Sequence, residues 1–171
     1  MFKNQKKKII AQKATPESFK KYGFVIKTNN IVQETDKSVT ANQGTAIKQE
    51  HLGVISNNFI ADQESSLNIH IFNCKTRELS NNDKSFHCKI MEKHPFSSQV
   101  FIPKTNKYVE NCYLVIVSLE EETDENGEHV VEAFMFDSDS SVVYKAGIWH
   151  SPMCNVQPSK EVISFIVLIN E

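Results

Sequence analysis

The stretch YLVIVSLEEETDENGEHVVEAFMFDSDSSVVYK, residues 113–145, decides the fold class. It holds three runs of apolar, β-branched and aromatic residues: YLVIVS (113–118), EAFMF (132–136) and SVVYK (141–145). Two clusters of turn-forming residues separate these runs: ETDENGE (122–128) and DSDS (137–140). Short β-rich runs that alternate with turn signals predict the strands of a mainly β sandwich or barrel.

Other parts of the chain extend the same pattern. Further strand-like runs are FVIK (24–27), LNIHIF (67–72), QVFIP (99–103) and VISFIVLI (162–169). Within LNIHIF, the alternation of side chains along a strand places Leu67, Ile69 and Ile71 on one face. The segment 28–66 is rich in Asn, Gln, Thr and Ser, and we expect it to be irregular. A further turn is predicted at NNDK (81–84).

One short helix is predicted near the start, in ATPESFKKYG. Thr15 can cap it, Pro16 suits the first helical position, and Gly23 offers a stop at its end. The basic residues of KNQKKK (3–8) indicate a flexible tail over residues 1–12, and the whole of 1–171 is expected to form one domain.

Composition excludes several classes of protein. The formal net charge is −2 and basic residues form no stripe with aromatic ones, so we expect no nucleic-acid partner. No apolar run approaches the length of a membrane span, so we expect no membrane association. The four cysteines never form a CxxC pair, which indicates buried free thiols and a cytoplasmic location. The sequence also lacks the GxGxxG, Walker A, GxSxG and HExxH motifs.

Two histidine-containing stretches are candidates for a site. In SFHCKIMEKH (85–94), a period of two places Glu92 and His94 on the same face as Phe86, Cys88 and Ile90. This face could end as the polar mouth of a barrel, or the strand could end at residue 91 and leave Glu92 and His94 in water. If HPFSSQ is a hairpin turn, His94 lies near Gln99, which is in phase with Phe101.

The second stretch is KAGIWHSPM (145–153). Here Gly147 permits a tight turn, Trp149 could form a wall, and His150 could face the same pocket as His94 if the fold brings them together. A third stretch, ANQGTAIK (41–48), offers Lys48 as an anchor for a small carboxylate; the alternative is a surface loop with an ordinary lysine.

These stretches resemble the ureidoglycolate lyase family of allantoin degradation. The resemblance rests on ANQGTAIK, on MEKHPFSSQVFIP followed by YLVIV, on AGIWHSPM and on the N-terminal TPESFKKYGFVI, and it runs from about residue 13 to residue 170. It implies a cupin-type jelly-roll β-barrel, commonly a homodimer, that splits (S)-ureidoglycolate into glyoxylate and urea.

The resemblance also implies roles for individual residues. The catalytic group would be His94, His150 and Glu92; the substrate would contact Lys48, Ser98, Gln99 and Trp149. A divalent metal such as Ni, Mn or Zn, if one is bound, would take His94, Gln99 and His150 as ligands. The usual metal-binding cupin signature is incomplete, because Glu92 stands where its first histidine would be. The segment 73–84 matches the family poorly and contributes no assigned residue. Arg77 within it is noted as a further candidate without a role.

Cleavage of ureidoglycolate requires a base, an acid and an anchor for the carboxylate. We expect one of the two imidazoles to remove the hydroxyl proton, while the other, or Glu92, protonates the departing urea. Lys48 would hold the carboxylate and Gln99 would orient the ureido group, and a bound metal could instead polarise the hydroxyl. Two other classes remain open: a metal-dependent cupin with different chemistry, and a non-catalytic barrel that binds small acids.

Overall fold

The computed structural model describes residues 7–28, 38–60, 64–80 and 84–171. The strands are β1 (Gln12–Lys13), β2 (Gly23–Lys27), β3 (Ser38–Ala41), β4 (Ala46–Gln49), β5 (Leu67–Cys74), β6 (Glu92–Lys93), β7 (Gln99–Lys104), β8 (Tyr113–Thr123), β9 (His129–Phe136), β10 (Ser140–Tyr144), β11 (Trp149–His150), β12 (Cys154–Asn155) and β13 (Ile163–Asn170). The predicted turn at 81–84 lies outside the described residues except for Lys84, as do residues 1–6 of the predicted tail.

Two large sheets form the body of the described chain. One has the strand order β1-β9-β8-β11-β6, with β12 also paired to β8, and the other has the order β2-β10-β7-β13-β5. Inward side chains of both sheets, among them Val117, Phe134, Phe101 and Phe165, share one buried core. The prediction of a mainly β, cupin-type jelly roll is therefore confirmed, although the described strands form a sandwich of two sheets and not a closed barrel.

The predicted helix is shorter than the sequence indicated. Helix α1 (Pro16–Phe19) is capped by Thr15, whose hydroxyl accepts a hydrogen bond from the Ser18 amide at 3.0 Å, so the start of the helix was predicted correctly. The predicted stop at Gly23 was wrong, because Gly23 already begins β2. A Cβ at this position would lie 1.7 Å from the carbonyl oxygen of Val143, so the close pairing of β2 with β10 requires glycine.

The segment 28–66 is more ordered than predicted. Strands β3 and β4 form an antiparallel hairpin around a 3-10 helix at Asn42–Gly44, where Gly44 has a φ of +92°. Residues 29–37 and 61–63 of this segment lie outside the described residues. Towards the N-terminus, Lys7 lies 3.1 Å from Asp124 and Gln12–Lys13 pair in parallel with β9.

The predicted strand across residues 85–94 is the main departure. Only Glu92–Lys93 form a strand; Phe86, Cys88 and Met91 instead pack on the outer face of the first sheet. Among the described residues, no helix is long and apolar enough to cross a membrane.

Strand β5 is the edge strand of the second sheet, and three of its apolar side chains face outward. Leu67, Ile69 and Ile71 share one face, as alternation predicted, but they are 59, 72 and 66% exposed. The same outer face continues onto β13, where Ile166 pairs with Ile71 and Leu168 with Ile69. The second sheet therefore presents an apolar strip along its edge.

Candidate active site

Two short strands bring an acid and an imidazole together. Strand β11 pairs with β6 on one side and with β8 on the other, so that His150 stands between Glu92 and Val117. Since Val117 belongs to the core between the sheets, the paired His150 and Glu92 also face the interior of the sandwich. His150 is only 2% exposed, and its Nε2 atom lies 3.6 Å from Oε1 of Glu92, which is longer than a hydrogen bond.

The backbone around His150 determines the protonation of its ring. Nδ1 of His150 lies 3.0 Å from the carbonyl oxygen of Ile148, which can only accept a hydrogen bond. The proton of the neutral ring must therefore be on Nδ1, which leaves a free electron pair on Nε2. Gly147, with a φ of +83°, donates its amide to the carbonyl oxygen of His94 at 2.9 Å and so ties the two histidine segments together.

Two aromatic rings lie near His150. Tyr144 of β10, in the opposite sheet, stacks on it with ring centroids 4.3 Å apart and planes inclined by 12°. The ring of His94 also stacks on that of His150, with centroids 5.8 Å apart and planes inclined by 23°. The sequence placed His94 and His150 at one site if the fold allowed it, and the structure brings them together.

The three polar groups form a set that could hold a metal ion. Ligand atoms of Glu92, His94 and His150 all lie within 4.8 Å of one another. Burial, together with the charge that His150 can carry, lowers the pKa of His94. The nearby His150 imidazole lowers the pKa of Glu92, although partial burial opposes this effect. Near neutral pH the set thus contains a neutral His94 and an ionised Glu92.

A cavity of about 580 Å³ opens beside this set. Its wall includes Glu92 and His150, and also Tyr144, Arg77 and Phe101, which the sequence had not assigned to a site. The Tyr144 hydroxyl is buried and has no hydrogen-bond partner within the described residues, and the same is true of His150 Nε2. Alternation from Val142 could have placed Tyr144 on the inner face, whereas no sequence pattern pointed to the wall around Arg77.

Gln99 and Ser98 have different surroundings. Gln99 faces inward in phase with Phe101, as predicted, and sits opposite Tyr144 in the β7–β10 pairing. The hairpin on which the proximity of His94 and Gln99 was conditional does not form, because β6 and β7 belong to different sheets. Ser98 bonds to Ser56 through both backbone and side chain, at 3.0 and 2.8 Å, and so holds a neighbouring loop.

Trp149 and Lys48 lie away from the cavity wall. Trp149 is on the opposite face of β11 from His150, and its indole Nε1 donates to Glu120 at 2.6 Å. Lys48 lies in the β3–β4 hairpin, is exposed, and bonds to Glu50 at 2.6 Å. Neither residue lines the cavity in the described part of the chain.

Comparisons with known proteins agree with the resemblance seen in the sequence. The model of the family described as Ureidoglycolate lyase matches residues 6–171. The ureidoglycolate lyase of Saccharomyces cerevisiae is 32% identical over 174 residues, which cover 95% of this chain and 86% of that protein. That of Schizosaccharomyces pombe is 30% identical over 164 residues, covering 93% and 84%. A bacterial relative of the same name, from Burkholderia mallei, is 27% identical over 162 residues, covering 95% and 82%.

Proposed function

Because this chain belongs to the ureidoglycolate lyase family, we propose that it is a lyase that splits (S)-ureidoglycolate into glyoxylate and urea in allantoin degradation. One carbon of this substrate carries a hydroxyl group, a carboxylate and a urea nitrogen. The hydroxyl loses its proton, its oxygen becomes the aldehyde oxygen of glyoxylate, and the carbon–nitrogen bond breaks. The nitrogen keeps the electron pair of that bond and takes a proton, so that the net change is one proton moved from oxygen to nitrogen.

The observation that carries this proposal is the free electron pair of His150 Nε2. This atom is buried, belongs to a residue of the cavity wall, and has no hydrogen-bond partner in the described chain. Since Nδ1 is held in its protonated form by Ile148, Nε2 is ready to accept the hydroxyl proton. We assign the general base to His150, which could then return the same proton to the departing urea nitrogen.

Glu92 and His94 support this proton transfer. The lowered pKa of Glu92 favours an ionised carboxylate, which suits stabilisation of the transient His150 imidazolium better than proton donation. The lowered pKa of His94 likewise favours its neutral form, so His94 is not a ready source of protons near neutral pH. Gln99 is not part of the cavity wall, but it pairs with the wall residue Tyr144 and its buried Oε1 has no partner in the described chain. This oxygen could accept a hydrogen bond from the ureido group.

The residues present also fit a divalent metal. Two imidazoles and a carboxylate are donors that suit Zn, Ni or Mn, and their ligand atoms already lie within 4.8 Å of one another. Glu92, His94 and His150 would hold the ion, a set that differs from the predicted one by containing Glu92 in place of Gln99. When bound, the ion would act as a Lewis acid on a substrate oxygen. This role would replace proton removal by His150, because Nε2 cannot hold the ion and accept a proton at the same time.

Metal dependence can be measured without relying on activity alone. We expect purified protein to contain up to one equivalent of a divalent ion by elemental analysis, and chelation to lower its melting temperature. The Glu92→Gln variant should retain less metal, since a neutral amide is a weaker ligand than a carboxylate. Equal metal content and melting temperature in wild type and variant would contradict a metal site at these residues.

A homodimer and a cytoplasmic location are part of the same proposal. The apolar strip formed by Leu67, Ile69 and Ile71 on β5, with Ile166 and Leu168 on β13, offers a surface that a second copy could cover. The four cysteines are free in the structure, as expected for a protein of a reducing compartment.

The direct test is incubation of the pure protein with (S)-ureidoglycolate and separate assays for glyoxylate, urea and ammonia. We expect glyoxylate and urea in equal amounts and no ammonia, because a lyase leaves urea intact. Ammonia in place of urea would indicate hydrolysis of the ureido group. Unchanged substrate, with and without added divalent metal, would contradict the lyase and favour a protein that only binds small acids.

A further inference from the structure

The chain contains a single arginine among its 171 residues, and this arginine lies in the wall of the cavity that holds His150 and Glu92. We propose that Arg77 binds the carboxylate group of the substrate and thereby selects small carboxylic acids. The inference rests on the proposed function and replaces Lys48, which the structure places elsewhere, as the carboxylate anchor.

The backbone at Arg77 is held in place by a buried residue. The Arg77 amide donates to the carbonyl oxygen of Asn155 at 2.7 Å, and Thr76 forms a β-bridge with the same residue. Asn155 is completely buried, and its side-chain amide donates to the carbonyl oxygens of Cys74 at 2.9 Å and Glu161 at 2.7 Å. A chain segment fixed by this many hydrogen bonds can hold a binding residue in one position.

The charge of Arg77 is available to a ligand. Within the described residues no carboxylate forms an ion pair with it, although its side chain is on the same wall as Glu92. Its positive charge opposes the effect of burial, which raises the pKa of the Cys74 and Cys154 thiols. Cys74 lines the cavity, and so does Met153, which precedes Cys154. Because the guanidinium acts on both thiols and Arg77 itself lines the cavity, the guanidinium is close to the cavity surface.

Arginine suits this task better than the other cations of the chain. The guanidinium presents a planar pair of N–H groups that matches the two oxygens of a carboxylate. Lys75 also lines the cavity, but its ammonium group is a single point charge and lacks this planar pair of donors. A substrate whose carboxylate lies at Arg77 shares one cavity with His150, so its hydroxyl can meet the proposed base.

A pair of substrates separates carboxylate binding from catalysis. N-Hydroxymethylurea has the same hydroxyl and urea nitrogen on one carbon but no carboxylate, and its cleavage gives formaldehyde and urea. For ureidoglycolate, we expect Arg77→Ala to lower kcat/KM by about 10- to 150-fold, mostly through KM, because the carboxylate is present in both ground and transition states. For N-hydroxymethylurea, the variant should match the wild type within about twofold.

Binding of the product gives a second measurement that does not require turnover. We expect the dissociation constant of glyoxylate, measured by titration calorimetry, to rise at least about tenfold in Arg77→Ala and less in Arg77→Lys, which keeps the charge but not the planar pair of donors. Lys104→Ala, which removes an exposed charge outside the cavity wall, should leave both measurements unchanged.

Three results would overturn the assignment of Arg77. One is an equal loss on both substrates, which would indicate support of the fold. Another is unchanged glyoxylate binding in Arg77→Ala. The third is a larger loss in Lys48→Ala or Lys75→Ala, which would move the anchor to that lysine. If the wild type forms no glyoxylate but binds it through Arg77, the lyase proposal fails while the carboxylate site stands.

Discussion

At the scale of single residues, two of the buried polar atoms in the cavity wall that have no hydrogen-bond partner within the described chain belong to stacked rings. They are Nε2 of His150 and the hydroxyl of Tyr144, on rings that stack 4.3 Å apart. A buried polar group without a partner costs about 1–3 kcal/mol of folding free energy. Both atoms belong to residues of one cavity wall, so a bound substrate can supply the missing partners.

The two histidines should differ in their effect on catalysis. We expect His150→Gln to lower kcat by about 10²–10⁴-fold, because it removes the proposed base. His94→Gln should cost less, since His94 is not part of the cavity wall. His70→Gln is the control: this half-exposed histidine pairs with Glu171 at 2.9 Å and should keep wild-type kcat. The measurement is steady-state kinetics, and activity that survives both His150→Gln and His94→Gln would contradict the assignment of either imidazole.

Tyr144 allows function and stability to be separated. We expect Tyr144→Phe to unfold at the same or a higher denaturant concentration, because the lost hydroxyl has no partner in the described chain, while kcat/KM falls at least about tenfold. Tyr113→Phe should show the opposite behaviour, since the Tyr113 hydroxyl donates to the carbonyl oxygen of Ser140 inside the core. We expect that control to lose about 0.5–1.5 kcal/mol and to keep its activity.

The informative result is the contrast between the variants: Tyr144→Phe should lose activity and keep stability, whereas Tyr113→Phe should lose stability and keep activity. Denaturant unfolding and kinetics on both variants would measure it. If Tyr144→Phe loses stability and keeps its activity, its hydroxyl has a structural partner, and the cavity has a different polar wall.

At the scale of elements, the site depends on strands of only two residues. β6 and β11 position Glu92 and His150, and each is too short to show any periodicity in sequence. The long strands β8, β9, β10 and β13 were predictable because each keeps an apolar pattern over five to eleven residues.

Whether a site residue could be predicted likewise depends on whether its segment carries a recognisable sequence pattern. His94, His150 and Glu92 could be proposed because a carboxylate or imidazole on an inward face is costly unless it is paired, hydrated or bound to a metal. The pattern alone left a solvated strand end equally open, and the family resemblance decided between the two. Trp149 could not be excluded, because a shift of one residue along β11 moves a side chain to the opposite face. Arg77 follows the end of β5 in a segment without a pattern, and only its contacts with Asn155 show where it lies.

A close approach between strands gives the prediction at this scale. Gly23→Ala should cost at least about 3 kcal/mol of unfolding free energy or prevent folding, because its Cβ would overlap the backbone of Val143. Gly127→Ala is the matched control: Gly127 has a φ of +71° but open space around it, so we expect only about 1–2 kcal/mol. Chemical denaturation measures both, and equal costs would mean that β2 can move away from β10.

At the scale of the whole molecule, the apolar strip on β5 and β13 departs from an ordinary monomer surface. Three large aliphatic side chains stand in a row on an edge strand, and edge strands with such residues tend to pair with another chain unless they are protected. The cavity and this strip meet at β5, because Ile71 and Phe72 also line the cavity. Association through the strip would therefore lie next to the cavity.

We expect the protein to be a dimer in solution, with a mass in light scattering of about twice the 19.5 kDa of one chain. Ile69→Asp places a charge in the middle of the strip and should shift the equilibrium to monomers without affecting the cavity wall, to which Ile69 does not belong. Ile90→Asp is the control, since Ile90 is similarly exposed at 62% but lies outside the strip, and it should remain dimeric. A wild-type monomer, or a dimer that Ile90→Asp disrupts and Ile69→Asp does not, would place the contact elsewhere. If the Ile69→Asp monomer also shows a raised KM with unchanged kcat, the second copy helps to hold β5 in the position that the cavity requires.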